Sequence, residues 1–219
     1  MKFTDMFRAK AQPVVEKKES ATAATIVMSP GQAAWSVDTN AKEYASEAYQ
    51  KNVVAYRSVS AIAEAVASVP WTAWRGETEV TQSPLLDLIA QPNPGMSGRE
   101  YMEAKVSFLM ISGNSYEEQI TATGNLPREL YVHRSDRMNV VKGSRGVPIA
   151  YQYKINGTTT TWPVDADTQK SDILHTKLFN PLDDWYGQSP ARAGSFAIDQ
   201  HNESMTWMQS LLQNSARPS

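Results

Sequence analysis

The chain has 219 residues, of which 41% are hydrophobic and 20% charged, and its formal net charge is −2. This composition is ordinary for a globular protein with a core, and the length suits one sizeable domain with extensions. The charge lacks the basic excess of proteins that hold nucleic acid tightly, although it is compatible with a protein past which DNA slides. The sequence contains no cysteine, which excludes thiol nucleophiles, thiolate metal sites and disulfides.

No stretch of the sequence approaches the roughly 18 consecutive apolar residues of a membrane-spanning helix. The first ten residues include Asp5, Arg8 and Lys10 and lack the apolar centre of a secretory signal. We therefore expect a soluble protein that works in the cytoplasm unless a partner moves it, with no membrane contact.

Residues 1–40 are predicted to form a flexible N-terminal arm. Charged and small residues dominate this stretch, and few large apolar side chains are present to offset the entropy of ordering it. Phe3, Met6 and Phe7 are the exception, since their spacing fits the apolar face of a single helical turn. A loose end is the simpler interpretation, and a docking arm is the alternative.

The next segment, residues 41–180, is predicted to be one α+β domain. Residues 52–69 carry apolar side chains at three- and four-residue spacing, which predicts a helix with one apolar face. Pro70 ends this helix, and residues 71–75 are predicted to form a strand. The apolar face consists of Ala55, Val59, Ile62, Val66 and Val69.

Two further helices have recognisable start signals. Ser83 followed by Pro84 is a capped helix start, and residues 91–95 end that short helix in a loop rich in proline and glycine. Ser97 with Glu100 fits a capping box, and the helix that follows is expected to close at residues 113–114.

Strands are predicted after these helices. Two strands are expected at residues 116–122 and 129–133, on either side of a turn at residues 124–125. A hairpin is expected at residues 151–162, with its turn at Asn156-Gly157, a pair that tolerates positive φ at both positions. Residues 173–179 form a further strand. Helices followed by several strands favour an α+β fold over alternating βαβ units.

Residues 181–219 are predicted to be dominated by a long C-terminal helix. Ser189-Pro190 is a capped start, and about 25 helical residues would span roughly 37 Å. A helix of this length with an apolar stripe needs a surface to pack against, either its own domain or another copy. The stripe consists of Ala191, Gly194, Ile198, His201, Met205, Met208 and Leu212, widened by Ala197, Trp207 and Leu211.

The candidates for chemistry are weak. His133, His175 and His201 have no metal-ligand spacing, and structural or interface roles are expected for them. Adjacent carboxylates at Asp183 and Asp184, with His175, define one alternative hypothesis, a carboxylate-dependent hydrolase or metal-dependent nuclease. That hypothesis requires the three side chains to share one site.

No catalytic residue, metal or cofactor is predicted otherwise. Nucleophile-elbow and phosphate-binding motifs are missing from the sequence, and the loop at residues 142–146 is better explained as a hairpin connection. A second alternative is a binding module with a tryptophan-lined surface, which contiguous exposed tryptophans would support. The tryptophans considered are Trp71, Trp74, Trp162, Trp185 and Trp207.

The sequence resembles the portal proteins of long-tailed bacteriophages from about residue 49 to its end. The resemblance rests on the order and spacing of many short blocks, of which the most specific is HTKLFNPLDD at residues 175–184. The other blocks are NVVAYR (52–57), IAE (62–64), VPW (69–71), PLL (84–86), PNP (92–94), SG (97–98), GNSY (113–116), RELY (128–131), DRM (136–138), YG (186–187), SP (189–190) and LQNSARP (212–218).

This resemblance implies a non-enzymatic ring, usually of twelve subunits, at one vertex of a phage or prophage capsid. DNA enters and leaves the head through the ring, which nucleates capsid assembly with capsid and scaffold proteins and docks the terminase and then the tail connector. Residues 41–180 would be the peripheral wing, and residues 181–219 would begin the stem. The place of action would be the virion, and the host cytoplasm during assembly.

Family members run on for roughly as much again, through a clip, a returning stem helix and a crown. The chain therefore resembles the N-terminal portion of such a protein, as a truncated gene or an excised piece. We accordingly expect rings from the longer relatives, and monomers or small aggregates from this chain.

Overall fold

The computed structural model describes residues 45–121, 126–144 and 146–214. The predicted arm (residues 1–40) and the predicted turn at residues 124–125 lie outside them. The helices are α1 (Val53–Ala67), α2 (Pro84–Ala90), α3 (Gly98–Ser112), α4 (Pro190–Ala193) and α5 (Ser195–Gln213), with a π-helical turn at Ala45–Gln50 and a 3-10 turn at Ser135–Arg137. The strands are β1 (Ala73–Arg75), β2 (Thr78–Val80), β3 (Asn114–Ile120), β4 (Glu129–His133), β5 (Met138–Lys142), β6 (Pro148–Ile155), β7 (Thr158–Pro163) and β8 (Ile173–Lys177).

The helix boundaries follow the capping signals of the sequence. The Asn52 side chain accepts hydrogen bonds from the backbone N–H groups of Val54 and Ala55 at the start of α1. Ser97 and Glu100 form the predicted capping box of α3, and Gly113 ends that helix with a φ of 76°, the left-handed conformation that glycine adopts without strain. The capping box predicted for α3 and the predicted end of that helix at Gly113 are confirmed, whereas α1 begins one residue later and ends two residues earlier than the predicted 52–69.

The buried face of α1 differs from its predicted apolar face. Val59, Ser60 and Ala63 are buried against α3 and its neighbours, whereas Ile62 remains 46% exposed and Val66 40% exposed. Small residues at positions 60 and 63 let α1 approach α3 closely, so the larger apolar side chains are displaced toward the surface. Part of the predicted stripe is therefore an exposed apolar surface.

Within the described residues, antiparallel strands form three separate sheets. Strands β1 and β2 make a two-stranded hairpin, β3 lies between β4 and β8, and β6 lies between β5 and β7. Asn156 and Gly157 have φ values of 47° and 82°, so the β6–β7 turn has the geometry expected of an Asn-Gly hairpin. The predicted strand at residues 71–75 is shorter than expected, and its partner β2 was not predicted. The α+β fold class is confirmed.

In the part of the chain that the structure describes, two apolar clusters make up the core. The first joins the π-helical turn, α1 and α3, and the second lies between the two three-stranded sheets. The Nζ atom of Lys105 donates to the buried carboxylate of Glu117 at 2.7 Å, which ties α3 to β3. The first cluster consists of Ala48, Val59 and Ile111, and the second of Tyr116, Met138, Val140, Tyr151 and Ile173.

The C-terminal region is two helices rather than the single predicted helix. The four residues of α4 end at Gly194, where φ and ψ are −91° and 3°, and α5 begins immediately afterwards. Because these angles depart from helical values, the axis is interrupted and the continuous part has 19 residues, about 28 Å at 1.5 Å per residue. Among the residues described, no helix combines the length and apolarity that crossing a membrane needs.

Candidate functional site: an exposed apolar helix and the junction that carries it

Helix α5 leaves most of its surface uncovered. None of its residues is buried, and partial cover is confined to its first turns, through Ile198, His201 and Asn202, and to Leu211 near its end. Farther along, Trp207 is 65% exposed and Leu212 is 79% exposed. Large apolar side chains exposed together on one helix mark an interaction surface.

The exposed apolar residues of α5 lie on two faces. With 3.6 residues per turn, Met205, Met208 and Leu212 continue the side of α5 that contacts α1, and we call this the inner face. Phe196 and Trp207 lie three turns apart on another side, roughly 140° away by the helical repeat, with Gln200 and Glu203 between them, and we call this the outer face. All five side chains are exposed, so α5 offers apolar contacts in two directions.

A groove of about 410 Å³ runs between α1 and α5. Its walls are mostly apolar, and its polar members are Asn52, Ser58 and His201. It is open along its length and carries no cluster of titratable groups, which fits an apolar chain segment better than a polar small molecule. The apolar lining residues are Val54, Ala55, Val59, Ile62, Met110, Pro190, Ala191, Gly194, Ala197 and Ile198.

Asn52 connects α1 to α5 at one end of this groove. Its Oδ1 caps α1, while its Nδ2 donates to Asn202 Oδ1 at 3.0 Å and lies 3.1 Å from His201 Nδ1. Since the cap fixes the orientation of the amide, Nδ1 of His201 is an acceptor and its ring proton is on Nε2. The sequence placed Asn52 within the helix predicted at residues 52–69, so it signalled neither the cap nor the contacts with α5.

A close crossing of two backbone segments positions the chain before α4. A Cβ at Gly187 would lie 2.0 Å from the Gly113 carbonyl oxygen, a distance that no side chain tolerates. The Gly187 N–H donates to Asn114 Oδ1 at 2.7 Å, and Ser189 Oγ donates to the Met110 carbonyl at 2.9 Å. The end of α3 therefore fixes where α4 and α5 begin.

His175, a candidate of the hydrolase hypothesis, belongs to the same crossing. Its Nε2 donates to Asn114 Oδ1 at 3.0 Å, and its ring stacks on Tyr116 with the centroids 4.3 Å apart. Burial, with a smaller contribution from Lys177, lowers the pKa of His175 to about 4. The ring is thus a neutral hydrogen-bond donor packed in the core.

The two aspartates of that hypothesis lie in a turn and make hydrogen bonds within it. Asp183 Oδ1 accepts the backbone N–H groups of Trp185 at 2.7 Å and Tyr186 at 3.2 Å. The backbone carbonyl of Asp184 accepts a hydrogen bond from Lys177 Nζ. Within the described residues, no three histidine or acidic side chains are grouped so as to hold a metal ion. The geometry thus offers no support for a shared hydrolytic site.

The remaining histidine and tryptophan candidates hold sheets together or lie apart. The Glu118 carboxylate accepts hydrogen bonds from His133 Nε2 at 2.8 Å and from Trp162 Nε1 at 3.1 Å. The bond from Trp162 on β7 to Glu118 on β3 bridges the two three-stranded sheets. Trp185 packs against the second core cluster. Trp71, Trp74 and Trp207 are exposed, but Trp71 lies in the loop before β1, Trp74 on β1 and Trp207 on α5. The groove includes none of them.

The exposed apolar helix is typical of a protein that associates with other chains, and comparison with known proteins identifies the family. The family model described as phage portal protein matches residues 53–219. This match covers well over half of the chain. The chain belongs to the phage portal protein family, as the resemblance of its sequence blocks indicated.

Known relatives agree with this assignment. An uncharacterized protein of Rickettsia bellii (strain RML369-C) is 34% identical over 176 residues, which is 79% of this chain and 45% of the relative. An uncharacterized protein of Rickettsia felis (strain ATCC VR-1525 / URRWXCal2) is 33% identical over 175 residues, with the same two coverages. The chain thus spans about half the length of the relatives it matches.

Solved structures of gene transfer agent (GTA) particles contain the same fold. A chain in the neck of an empty GTA particle, computed with C6 symmetry, is 39% identical with a TM-score of 0.75, over 82% of this chain and 48% of that one. A chain in the virion of a native GTA particle is 38% identical with a TM-score of 0.71, over 82% and 46%. The neck of the native particle, computed with C12 symmetry, gives 38% identity and a TM-score of 0.71, over 82% and 46%.

Proposed function

We propose that this chain supplies the wing and the first stem helix of a portal ring subunit. In this proposal residues 41–180 are the wing and residues 181–219 begin the stem. The observation that carries the proposal is α5, which has no buried residue and an exposed apolar surface. Neighbouring subunits of a ring would cover such a surface.

The particle context supports a homo-oligomeric role. The matching solved chains belong to necks that were computed with C6 or C12 symmetry, and cyclic assemblies need repeated contacts between identical copies. We infer a ring of twelve subunits in the complete protein, at a capsid vertex of the virion, assembled in the host cytoplasm with capsid and scaffold proteins.

The partners of the complete ring would be DNA and two further assemblies. Double-stranded DNA would pass through the channel without sequence specificity, and the net charge of −2 suits a wall that does not retain it. The terminase would dock for packaging and the tail connector afterwards. No catalytic residue, metal or cofactor takes part in this proposal.

A chimaera tests the proposal. Residues 53–214 of this chain replace the corresponding segment of the GTA neck protein, which is 39% identical to this chain over 82% of its length. Because the fold is shared, the chimaera is expected to form rings of the parent's symmetry in negative-stain images, whereas this chain alone is expected to give monomers or small aggregates in light scattering.

A chimaera that is folded by circular dichroism but remains monomeric would contradict the portal role. The unaltered parent protein, purified in parallel, controls for the assembly conditions. Rings of unchanged symmetry would support the proposed wing and stem boundaries.

A further inference from the structure

We infer that residues 33–37 of this same chain lie in the groove between α1 and α5 and close it. Ala33, Trp35 and Val37 face the groove in this arrangement, with Trp35 at its centre. The segment lies outside the described residues. The contact forms within one copy and does not depend on the proposed ring.

The groove is a largely apolar surface that the described residues leave open. Its lining comes from Asn52 and α1, from α5, from Met110 of α3 and from the α4 region. Val54 and Ile62 are exposed along it. A chain segment that removes these side chains from water is therefore stabilised by the hydrophobic effect.

The sequence outside the described residues narrows the choice of cover. Residues 122–125, 145 and 215–219 contain no large apolar side chain, whereas the stretch before residue 45 does. Within that stretch, Ala33, Trp35 and Val37 alternate with small or polar residues. This alternation is typical of an extended segment with one apolar face, which is the shape that an open groove accommodates.

The connection from this segment to the groove is short. The described chain begins with the π-helical turn Ala45–Gln50 and continues through Asn52, which lines the groove, into α1. Residues 38–44 join Val37 to this turn and reach about 26 Å when extended, at about 3.3 Å per residue. The helical path from Ala45 to Asn52 is only about 10 Å at 1.5 Å per residue. A segment tethered this closely meets the groove at a high effective concentration, which a separate molecule lacks.

The spacing of side chains on α1 matches the spacing along an extended segment. Three lining residues of α1 recur at four-residue intervals, which places them about 6 Å apart along the helix axis. Alternate residues of an extended segment are about 6.6 Å apart, so the two sets stay in step over the length of the groove. The resulting pairs are Val37 with Val54, Trp35 with Ser58 and Ala33 with Ile62.

Ser58 provides a polar partner for Trp35 in this register. Its hydroxyl donates to the Val54 carbonyl at 2.8 Å, so the lone pairs of its oxygen remain to accept a hydrogen bond. A buried indole N–H usually finds an acceptor, and Ser58 supplies one in a mostly apolar wall. The groove therefore favours tryptophan over phenylalanine at position 35.

The lack of cysteine in the chain allows a direct test by disulfide formation in the full chain. Ala33→Cys with Ile62→Cys places thiols on one of the expected pairs. Ala33→Cys with Ala61→Cys is the matched control, because Ala61 is exposed and points about 100° away from Ile62. Under mild oxidation we expect about tenfold more intramolecular disulfide from A33C/I62C than from A33C/A61C, the ratio produced by a contact of about 1.4 kcal/mol.

Thiol labelling tests the role of Trp35 separately. In the single variant Ile62→Cys, adding Trp35→Ala should raise the rate of maleimide labelling about tenfold, for the same contact energy. Adding Trp35→Phe should give an intermediate rate, because the ring remains and the N–H is lost. The rate for Ala61→Cys should stay unchanged in both backgrounds.

Equal disulfide yields from the two pairs would overturn the inference. Disulfide-linked dimers as the main product of mixed A33C and I62C single variants would overturn it as well, because the segment would then come from another copy. Circular dichroism checks that each variant is folded, and Val37→Cys with Val54→Cys repeats the test at the other end of the groove. The chimaera contains only residues 53–214 of this chain, so its rings test the proposed function independently of this contact.

Discussion

Asn114 shows how one side chain joins distant parts of the chain. Its Nδ2 donates to the Ser112 carbonyl at 2.8 Å, which orients the amide, and its Oδ1 accepts from His175 and Gly187. The sequence marked residues 113–114 as a helix end. It gave no sign of these contacts, because the two partners lie 61 and 73 residues away.

At the same scale, His175 should make the free energy of unfolding depend on pH. The pKa of His175 is about 4 in the folded chain and about 6.5 in the unfolded chain, so between these values the unfolded state binds one more proton. The contribution of His175 to the free energy of unfolding is therefore fully present above pH 6.5. Between pH 6.5 and pH 4 it falls by about 1.4 kcal/mol per pH unit. Urea unfolding at intervals between pH 7.5 and 4.5 measures this slope.

His175→Gln is the matched control for this slope, since glutamine keeps an amide donor near Asn114 but does not titrate. The variant should lose the part of the pH dependence that one proton contributes. An unchanged slope in the variant would assign the effect to other groups.

Gly187 should tolerate no side chain. Gly187→Ala places a Cβ 2.0 Å from the Gly113 carbonyl oxygen, and overpacking of backbone against backbone costs about 3 kcal/mol. Gly95→Ala is the control, since its Cβ would meet nothing closer than 3.5 Å, and a change of less than about 0.5 kcal/mol is expected. Thermal unfolding measures the stability of both variants. Equal losses of stability would contradict the close approach of Gly187 to Gly113.

At the scale of elements, local signals predicted where helices begin and end, but not which faces they bury. Ser83 and Ser97 cap their helices as their positions indicated, because capping involves residues within one turn. The buried face of α1 depends instead on α3, and the interruption at Gly194 separates α4 from α5. These features depend on contacts that local spacing does not contain.

Asn52 should couple α1 to α5. Asn52→Ser keeps a good cap for α1 but is too short to reach His201 and Asn202, so it should leave α1 intact and loosen the first turns of α5. Hydrogen exchange of the α5 amides should therefore accelerate, with little change in α1. Asn52→Ala, which also loses the cap, should in addition destabilise α1 by about 1 kcal/mol.

Unchanged exchange in α5 of the serine variant would show that the hydrogen bonds from Asn52 do not hold this helix. The groove between α1 and α5 would then depend on apolar packing alone, through Ile198 and Met110.

At the scale of the whole molecule, a well-packed α+β region carries a helix, α5, whose largest apolar side chains are mostly exposed. The exposed side chains of α5 add little to the stability of the single chain, since exposed positions contribute little to folding. Their expected contribution is to association, where apolar area is removed from water.

Trp207→Glu separates these two roles. Because Trp207 is 65% exposed, the free energy of unfolding should change by less than about 0.5 kcal/mol. Self-association should weaken, since a charge at this position would be removed from water when a neighbouring copy covers α5. Light scattering over a range of concentrations measures the second effect and urea unfolding the first.

Thr206→Glu adds the same charge on the polar side of α5 and controls for net charge. Equal weakening by both variants would indicate general repulsion between copies and would contradict a specific contact of Trp207.

The sequence by itself determined the features that arise from neighbouring residues. These are the helix caps, the Asn156-Gly157 hairpin, the α+β class and the ordered blocks that place the chain in the phage portal protein family. They are readable because capping, turn geometry and strand alternation act over a few positions.

Only the tertiary structure decided which surfaces are covered. The displaced buried face of α1, the crossing of Gly113 and Gly187, and the groove between α1 and α5 all join residues far apart in sequence. An apolar stripe has the same spacing whether it packs inside the chain or against another copy. Which residues are buried therefore depends on the packing partners that the tertiary structure brings together. In this chain those partners leave most of α5 exposed.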